Sequence, residues 1–233
     1  MVEYLNERHR EIFATTSSIA GWQEPGDSEA LFEMGYTSGD VILEIGTYAG
    51  RSAVCMIAGA LSAGRRPKYY GVDISMHAIA TTHATLAARG YLPMTLLYTG
   101  TLQTFIERYR IEPSSVFVDG GHDYADVSAD LAALGKILAP GTPVIFHDYL
   151  NSDTPGVAAA IHEARDGGKL EIGATSGCSA LTRWRSEPQR RHRRPGAARF
   201  ACHQVGNAAD NLYKLSTRVL YKLSTRVAKR IFQ

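Results

Sequence analysis

Residues 41–52, VILEIGTYAGRS, are the stretch that most constrains how this chain can fold. The apolar run 41–45 has the pattern of a strand that is buried on both faces of a parallel sheet. Gly46 and Gly50 allow a turn and the close approach of a ligand, and a helix can begin at Arg51. Because open α/β sheets bind ligands at the carboxyl ends of their strands, the stretch predicts a strand, a ligand-binding loop and a helix.

Glu44 lies inside this apolar run, where a carboxylate is costly unless a partner hydrogen-bonds it. The ribose hydroxyls or the cationic groups of a cofactor could be that partner. The spacing of Gly46 and Gly50 does not match the dinucleotide fingerprint G-x-G-x-x-G, which disfavours a dehydrogenase. A plain turn between strand and helix would need the same glycines, so the loop alone leaves its function open.

Strand and helix patterns alternate through residues 38–185, as is typical of an α/β domain with a parallel sheet. Further strands are expected at 69–72, 94–98, 115–118 and 143–146. The segments 170–174 and 180–184 are expected to form a closing hairpin. Before the first strand, 3–14 favours a short amphipathic helix, and 17–38 is expected to be loop-rich because glycine and proline recur in it.

The length and composition fit one catalytic domain with appendages. With 233 residues, of which 45% are hydrophobic and 21% charged, the chain can bury one large core. The predicted divisions are an N-terminal helix and lid segment (1–37), a catalytic domain (38–185), a basic linker (186–203) and a C-terminal basic amphipathic helix (204–233). The last of these repeats the sequence LYKLSTRV, which on a helix gives an apolar stripe bordered by basic residues. Docking of this stripe on the core or on a partner subunit, as in a homodimer, is favoured over contact with a membrane surface.

The composition also disfavours several other classes of protein. No run approaches the roughly 20 apolar residues of a membrane span, and the charged N-terminus is unlike a signal peptide. Cys55, Cys178 and Cys202 are odd in number and lack metal-type spacing, which fits a reducing cytoplasm. Arginines are concentrated between 183 and 199 and the remainder is net acidic, which argues against a nucleic-acid partner. The sequence therefore predicts a cytoplasmic protein that acts on a small molecule.

Asp73 follows the second predicted strand and is the second expected anchor of a cofactor. An acidic residue at this position can accept hydrogen bonds from both ribose hydroxyls of an adenosine-containing cofactor. The alternative is that Asp73 caps the helix that begins near Ser75.

Two polar motifs, D-G-G-H-D-Y after the fourth strand and H-D-Y after the fifth, are the strongest functional signal in the sequence. Because these strands are expected to end at the same edge of the sheet, the polar side chains should emerge side by side. Asp119, His147 and Asp148 would form a mainly oxygen site with open positions, which suits Mg²⁺ or Mn²⁺. His122, three residues after Asp119, is the expected base, because neutral imidazole accepts protons near neutral pH. For either histidine alone, packing or a helix cap would be the simpler interpretation.

The stretch E-I-G-T-Y-A-G-R-S resembles the first motif of class I S-adenosylmethionine (SAM)-dependent methyltransferases. It is similar in particular to the metal-dependent O-methyltransferases of the catechol, caffeoyl-coenzyme A and macrolide-sugar types. D-G-G-H resembles the aspartate-x-x-histidine element of sugar O-methyltransferases, in which the aspartate holds the metal and the histidine deprotonates the acceptor hydroxyl. Where that family has an acidic pair after the fifth strand, this chain has His147 and Asp148, which makes the site less negative by one charge. The resemblance covers about residues 38–185.

The resemblance implies a Rossmann-like, seven-stranded, mostly parallel sheet with helices on both faces and an antiparallel last strand, extended here by N- and C-terminal helices. SAM is the expected cofactor, with Mg²⁺ or Mn²⁺ beside it. The expected cofactor contacts are Glu44, Gly46, Thr47, Gly50, Ser52, Asp73, Thr101 and Asp119.

The predicted function is the metal-assisted methylation of a hydroxyl of a sugar or glycoside. A weakly acidic alcohol requires a base such as His122, whereas a phenol could lose its proton to the metal and a lysine. The alternatives are a catechol or phenolic O-methyltransferase, an RNA methyltransferase that uses the arginine-rich segment, and a non-catalytic cofactor-binding scaffold. No aromatic residues interleave with the arginines, which disfavours RNA, and a scaffold would leave Asp119, His122 and Asp148 unexplained.

Overall fold

A seven-stranded sheet organises residues 6–185, the part of the chain that the computed structural model describes. Its strands are β1 (Val41–Ile45), β2 (Lys68–Asp73), β3 (Thr95–Thr99), β4 (Ser115–Val118), β5 (Pro143–Phe146), β6 (Leu170–Ser176) and β7 (Ser179–Trp184). They lie side by side in the order β3-β2-β1-β4-β5-β7-β6. Neighbouring strands are parallel, except that β7 runs antiparallel to both β5 and β6. The predicted mostly parallel sheet with an antiparallel last strand is confirmed.

Helices cover both faces of this sheet. They are α1 (Glu7–Thr16), α2 (Pro25–Thr37), α3 (Arg51–Ser62), α4 (Met76–Ala87), α5 (Leu102–Arg108), α6 (Tyr124–Leu134) and α7 (Pro155–Asp166), with a 3₁₀ turn at Leu92–Met94. Apolar residues of α5, α6 and α7 pack on one face, and those of α1, α2 and α3 pack on the other. The predicted helices on both faces and the predicted N-terminal helix are therefore present.

Alternate residues of the central strands enter opposite cores. In β1, Leu43 and Ile45 pack with α5, α6 and α7, whereas Ile42 packs with α1, α2 and α3. In β4, Val116 and Phe117 divide between the same two cores, and all four residues of the strand are buried. This double burial explains why continuous apolar runs predicted the strands.

The segment before β1 differs from the prediction, because much of it is helical. The helix α2 occupies the second half of the stretch that was expected to be loop-rich. Gly35 lies within α2, and a Cβ on it would be 2.0 Å from the carbonyl oxygen of Met56 in α3. Gly59 of α3 approaches Phe32 of α2 equally closely, since its Cβ would lie 2.1 Å from that carbonyl oxygen. The glycines therefore let two helices pack together, and the prediction of a loop was wrong here.

Two predicted segments, the basic linker 186–203 and the C-terminal helix 204–233, lie outside the described residues. Both stay predictions. Within residues 6–185, no helix is long and apolar enough to cross a membrane.

Candidate active site

The loop after β1 is shaped by a glycine at each end. Gly46 adopts a φ of +83°, and a Cβ on it would lie 1.9 Å from the carbonyl oxygen of Asp119, directly after β4. Gly50 adopts a φ of +79° and is the N-cap residue of α3. Both values lie in the left-handed region that favours glycine. The predicted strand, loop and helix start are confirmed, and the loop passes close to the end of β4.

Asp73, at the end of β2, holds this loop through backbone amides. Its Oδ2 atom accepts hydrogen bonds from the amides of Thr47 (2.8 Å) and Tyr48 (3.2 Å). Its Oδ1 atom accepts a hydrogen bond from the amide of Ser75 at 2.8 Å. Ser75, rather than Asp73, is the N-cap residue of α4, because its hydroxyl accepts from the amide of Ala78. The alternative interpretation of Asp73 as the helix cap is therefore wrong.

A cavity of about 460 Å³ opens beside Asp73, and we call it the β2-side cavity. Four predicted cofactor contacts line it, as do residues of the loop after β2 and of α5 and α6 that the sequence did not single out. The predicted residues are Gly46, Asp73, Thr101 and Asp119, and the others include Ile74, Gln103, Asp126 and Asp130. Burial, with the charge of Asp126 nearby, raises the pKa of Asp130 to about 6.

A second cavity, of about 540 Å³, lies on the side of β5, and we call it the β5-side cavity. It shares a wall with the first cavity, because Gly46, Tyr48, Asp119 and Gly120 line both. The rest of its lining comes from four separate parts of the chain. These residues are 20–23, Thr47, Ala49, Arg51, Ser52, His122, His147, Asp148 and Asn151.

The segment between α1 and α2 forms one wall of the β5-side cavity. The Nη1 atom of Arg51 donates a hydrogen bond to the carbonyl oxygen of Gly21 at 3.0 Å, and the guanidinium lies over the ring of Phe13. Trp22, beside this anchor, is 93% exposed. The segment lies where a lid is expected, and its movement as a lid stays a prediction.

Glu44 is fully buried in β1, and neither cavity includes it in its wall. Its two carboxyl oxygens contact the hydroxyl groups of Ser52 and Tyr69. Burial raises the pKa of Glu44 to about 8, so the group is a neutral acid at pH 7. The protein itself therefore supplies the polar partner that sequence reasoning expected from a cofactor. Contact of Glu44 with SAM stays a prediction, as does contact of Gly50, which also lies outside both walls.

Two carboxylates and two imidazoles converge in the β5-side cavity. The Nδ1 atom of His147 lies 3.2 Å from Oδ1 of Asp119 and 3.3 Å from Oδ2 of Asp148. The Nε2 atom of His122 lies 3.1 Å from the same Asp148 oxygen and 3.7 Å from the same Asp119 oxygen. The four side chains that the sequence places at neighbouring strand ends thus lie together, and their individual roles stay predictions.

The two histidines differ in exposure and in electrostatics. The side chain of His122 is 47% exposed, whereas that of His147 is 4% exposed. A hydrogen bond to Asp119 raises the pKa of His122, and burial only partly opposes this. Burial lowers the pKa of His147, but the nearby carboxylates of Asp119, Asp148 and Asp27 outweigh it and raise that pKa above its usual range. The adjacent imidazole of His147 in turn lowers the pKa of Asp148 to about 2.

The carboxylate oxygens of Asp119 and Asp148, together with one imidazole nitrogen, have a spacing and chemistry that could hold a divalent cation. Adjacent ligands of an octahedral ion with bonds of about 2.1 Å lie about 3 Å apart. The contacts of Asp148 with both histidines and of Asp119 with His147 span 3.1, 3.3 and 3.2 Å. Among the described residues, the buried Nδ1 of His147 has no hydrogen bond of proper orientation. Carboxylate oxygens suit Mg²⁺ and Mn²⁺, and of these two ions Mn²⁺, a transition metal, accepts an imidazole ligand more readily.

Asp27 and Cys178 also contact His147, and the sequence analysis missed both. Asp27 is fully buried in α2, and its Oδ2 lies 3.6 Å from Nε2 of His147. The Sγ atom of Cys178, between β6 and β7, lies 3.2 Å from the same nitrogen. Asp27 follows Pro25 as part of a capping box at the start of a helix, and this local role hides its second contact. No signal in a single sequence links residues that are 151 positions apart, as Asp27 and Cys178 are.

Residues 43–149 match the model of a methyltransferase domain family. The match includes the loop after β1, Asp73 and both strand-end motifs. No curated protein matches the chain.

Several solved structures share the fold. The O-methyltransferase from Bacillus cereus in complex with SAH is 16% identical, with a TM-score of 0.58 over 79% of this chain and 94% of that chain. TomG, an O-methyltransferase from Streptomyces achromogenes involved in tomaymycin synthesis and bound to SAM, is 14% identical, with a TM-score of 0.57 over 80% and 93%. A proposed rRNA methylase from Clostridium thermocellum is 15% identical, with a TM-score of 0.57 over 72% and 99%. Likeness at these identities shows the fold and leaves the acceptor open. Residues 43–149 therefore match a methyltransferase domain, and the described chain has the fold of solved methyltransferases that bind SAH or SAM.

Proposed function

We propose that this chain is an O-methyltransferase, assisted by a divalent cation, that methylates a hydroxyl of a sugar or glycoside. Two of the solved structures that share its fold are named O-methyltransferases, one bound to SAH and the other to SAM. In the proposed arrangement SAM occupies the β2-side cavity beside Asp73, and the acceptor occupies the β5-side cavity. The two cavities meet at Gly46 and Asp119, where a methyl group would pass from one ligand to the other.

The observation that carries the proposal is the position of His122. Its imidazole is half exposed in the β5-side cavity and lies 3.7 Å from Asp119, which belongs to both cavity walls. An alcohol hydroxyl is a weak nucleophile while it keeps its proton, so it needs a base within reach. A base in the β5-side cavity, near the wall that both cavities share, therefore favours an alcohol over a phenol as the acceptor.

The proposed reaction transfers one methyl group and one proton. The Nε2 atom of His122 accepts the hydroxyl proton as the hydroxyl oxygen bonds to the methyl carbon and the bond between that carbon and sulfur breaks. The products are a methyl ether and a neutral thioether, and the proton remains on His122. Asp119 and Asp148, with Nδ1 of His147, would hold the cation, which when bound lowers the pKa of the hydroxyl and orients its oxygen.

Exposed aromatic residues at the β5-side cavity support an acceptor with a ring. Trp22 and Tyr48 both line this cavity and are 93% and 63% exposed. Exposed apolar surface beside a cavity is typical of ligand-binding sites. Flat aromatic rings pack well against the C–H faces of sugar rings, whereas hydroxyl groups at the ring edge remain free to reach His122.

A screen of acceptors with SAM labelled in its methyl group tests the proposal. The purified chain would be offered glycosides, catechols and RNA, each with Mn²⁺, with Mg²⁺ and with excess chelator. We expect label in the glycosides, loss of transfer with chelator and recovery when the cation is restored. Transfer to catechols or to RNA alone would contradict the proposed acceptor, and full transfer with chelator would contradict the role of the cation.

Assembly and location of the chain stay predictions. A homodimer, tested by light scattering of the purified full chain, is the expected assembly. Vesicle binding that requires anionic lipid would instead favour membrane contact of residues 204–233, the less favoured alternative.

A further inference from the structure

Asp27 is a fully buried carboxylate that the proposed reaction does not use. Its Oδ1 accepts hydrogen bonds from the hydroxyl of Ser179 (2.7 Å) and from the amide of Cys178 (3.1 Å). Its Oδ2 accepts a hydrogen bond from the amide of Glu24 at 2.8 Å and also faces Nε2 of His147 at 3.6 Å. Capping of α2 explains only the contact with Glu24. The other contacts connect α2 to the β6–β7 turn and to the end of β5.

The two ring nitrogens of His147 face different surroundings. Nε2 faces the Asp27 carboxylate and, at 3.2 Å, the Sγ atom of Cys178. Nδ1 faces the opposite way, towards carboxylate oxygens of Asp119 and Asp148 at 3.2 and 3.3 Å. Within the described chain, Nδ1 is a buried polar atom without a properly oriented hydrogen bond, and it is aimed into the candidate cation site. The imidazole therefore links a buried acceptor on one side to that site on the other.

We propose that Asp27 is a positioning residue that keeps a proton on Nε2 of His147 and so leaves the Nδ1 lone pair for the divalent cation. Both ring nitrogens face carboxylates, which can only accept, so without a cation either nitrogen could carry hydrogen. A cation held by Asp119 and Asp148 would take the place of the hydrogen on Nδ1, whereas Asp27 would retain the hydrogen on Nε2. Histidines that bind metals commonly donate their other N–H to a carboxylate, which fixes the tautomer and the ring orientation. The inference rests on the proposed function, because only a cation-assisted reaction gives Nδ1 this partner.

In this proposal, the N-terminal helix α2 and the β6–β7 turn together hold Asp27 in position beside His147. Ser176 donates a hydrogen bond to the carbonyl oxygen of Gly26 at 2.7 Å, next to the contacts of Asp27 with Cys178 and Ser179. The turn therefore fixes Asp27, and Asp27 in turn orients His147. Parts of the chain that lie outside both cavities would in this way set the affinity for the cation.

Asp27→Asn tests the proposal, with Ser179→Ala as the matched control. The amide keeps the size of Asp27 but removes the charged acceptor that faces Nε2, so we expect Mn²⁺ affinity to fall by about 10- to 100-fold, the usual range for such partners. Ser179→Ala removes one hydrogen bond from the same carboxylate and keeps its charge, so Mn²⁺ affinity should stay within about twofold. Calorimetric titration of the full-length proteins with Mn²⁺ alone gives the affinities, and melting curves record any loss of stability separately.

Nitrogen-15 spectra of histidine provide a measurement that leaves Asp27 unchanged. In the Mg²⁺-loaded wild type, the ring of His147, identified by its loss in His147→Gln, should carry hydrogen on Nε2. A proton on Nδ1, equal losses of Mn²⁺ affinity in Asp27→Asn and Ser179→Ala, or no Mn²⁺ binding by the wild type would each overturn the proposal. Binding of Mn²⁺ that depends on Asp27, in a protein that methylates none of the acceptors, would support the role of Asp27 and contradict the proposed function.

Discussion

The β2-side and β5-side cavities share a wall but are constructed in different ways. The β2-side cavity is organised by one carboxylate, Asp73, which binds the amides of Thr47 and Tyr48 in the preceding loop. The acidic and imidazole groups of the β5-side cavity come from the ends of β4 and β5, and His147 is in turn held by Asp27 from α2. One cavity is thus fixed mainly by a carboxylate that binds backbone amides, and the other by contacts between side chains, one of which comes from the N-terminal helix α2.

This difference predicts that the two halves of the site can be altered separately. Asp73 holds the loop after β1 through backbone amides. This loop should therefore keep its position when side chains of the β5-side cluster are substituted. Within the described residues, the ion pairs of the β5-side cluster do not include Asp73. Variants on the β5 side should therefore change turnover and cation binding, and variants on the β2 side should change SAM affinity.

Asp148→Ala is expected to have the largest effect. Asp148 contacts both histidines and accepts a hydrogen bond from the side chain of Asn151 at 2.9 Å. Without this carboxylate the cation loses a charged ligand, so cation-dependent turnover should fall to the background rate while SAM affinity stays largely unchanged. Initial rates across a Mn²⁺ series, with calorimetry of SAM binding, would measure both. A parallel loss of SAM affinity would show that the two cavities are not independent.

His122→Ala should lower turnover by about 10²- to 10⁴-fold, the usual range for a general base. Contact with Asp119 raises the pKa of His122, and only its neutral form accepts a proton. The wild-type rate should therefore rise with pH, with a midpoint above the ordinary value of about 6.5. Rates measured from pH 5 to about pH 9 should show this limb in the wild type and a flat profile in the variant.

His147→Ala is the control for the assignment of the base. His147 is nearly buried, so its loss should raise the Mn²⁺ concentration needed for half-maximal rate and leave the pH limb in place. The opposite result would be that His147→Ala removes the rise of rate with pH and His122→Ala only weakens Mn²⁺ binding. In that case His147 is the base and His122 is the cation ligand.

Asp73→Ala should have a moderate effect, confined to the β2 side. Loss of hydrogen bonds to a charged group costs about 1–3 kcal/mol, so SAM affinity should fall by about 5- to 150-fold. Cation affinity should not change. Calorimetry with SAM and with Mn²⁺ would test both statements, and Asp73→Asn, which keeps one acceptor for the loop amides, should show a smaller loss. An unchanged dissociation constant for SAM would remove Asp73 from the cofactor site.

The contrast between the cavities also explains what the sequence could predict. The sheet, the loop after β1 and the place of Asp73 follow from local patterns. Apolar runs and glycines determine the structure of the few residues around them, so a single sequence is enough to predict it. The convergence of His122 with Asp148 was predictable because parallel strands end at one edge of the sheet. Asp27 could not be found, because its contact with His147 depends on how α2 packs against the β6–β7 turn. The glycine and proline residues of 17–38 misled the prediction because they serve helix packing and helix initiation.

Glu44 and Asp27 are two buried carboxyl groups whose pKa values shift in opposite directions. Both carboxyl groups are fully buried. Burial raises the pKa of Glu44 to about 8. Burial also opposes ionisation of Asp27, but hydrogen bonds from His147, Ser179 and the amide of Glu24 outweigh it and lower that pKa. Equal burial therefore leaves a neutral acid below the β1 loop and an anion beside His147.

Glu44→Gln should have the smallest effect on activity, because Glu44 lies outside both cavity walls. Its expected effect is on stability. Unfolded Glu44 releases its proton near its ordinary pKa of 4.5, whereas the folded protein holds that proton until about pH 8. The free energy of unfolding of the wild type should therefore fall as pH rises from about 5 to about 8, and glutamine, which does not ionise, should remove this part of the fall. Melting temperatures of both proteins across this range would measure it.

Asp27→Asn is the opposite control for the same measurement. Because the pKa of Asp27 is lowered from 3.8, its contribution to stability is present above about pH 4 and is lost as pH falls further. In Asp27→Asn, stability should therefore fall less steeply below about pH 4 and should fall as in the wild type between about pH 5 and 8. In Glu44→Gln, stability should fall less steeply between about pH 5 and 8 and as in the wild type below about pH 4. Equal slopes for the wild type and Glu44→Gln between pH 5 and 8 would mean that Glu44 ionises at its ordinary pKa within the fold. A cationic partner would then have to balance that buried charge. This result would support the contact between Glu44 and the cofactor that the sequence predicts.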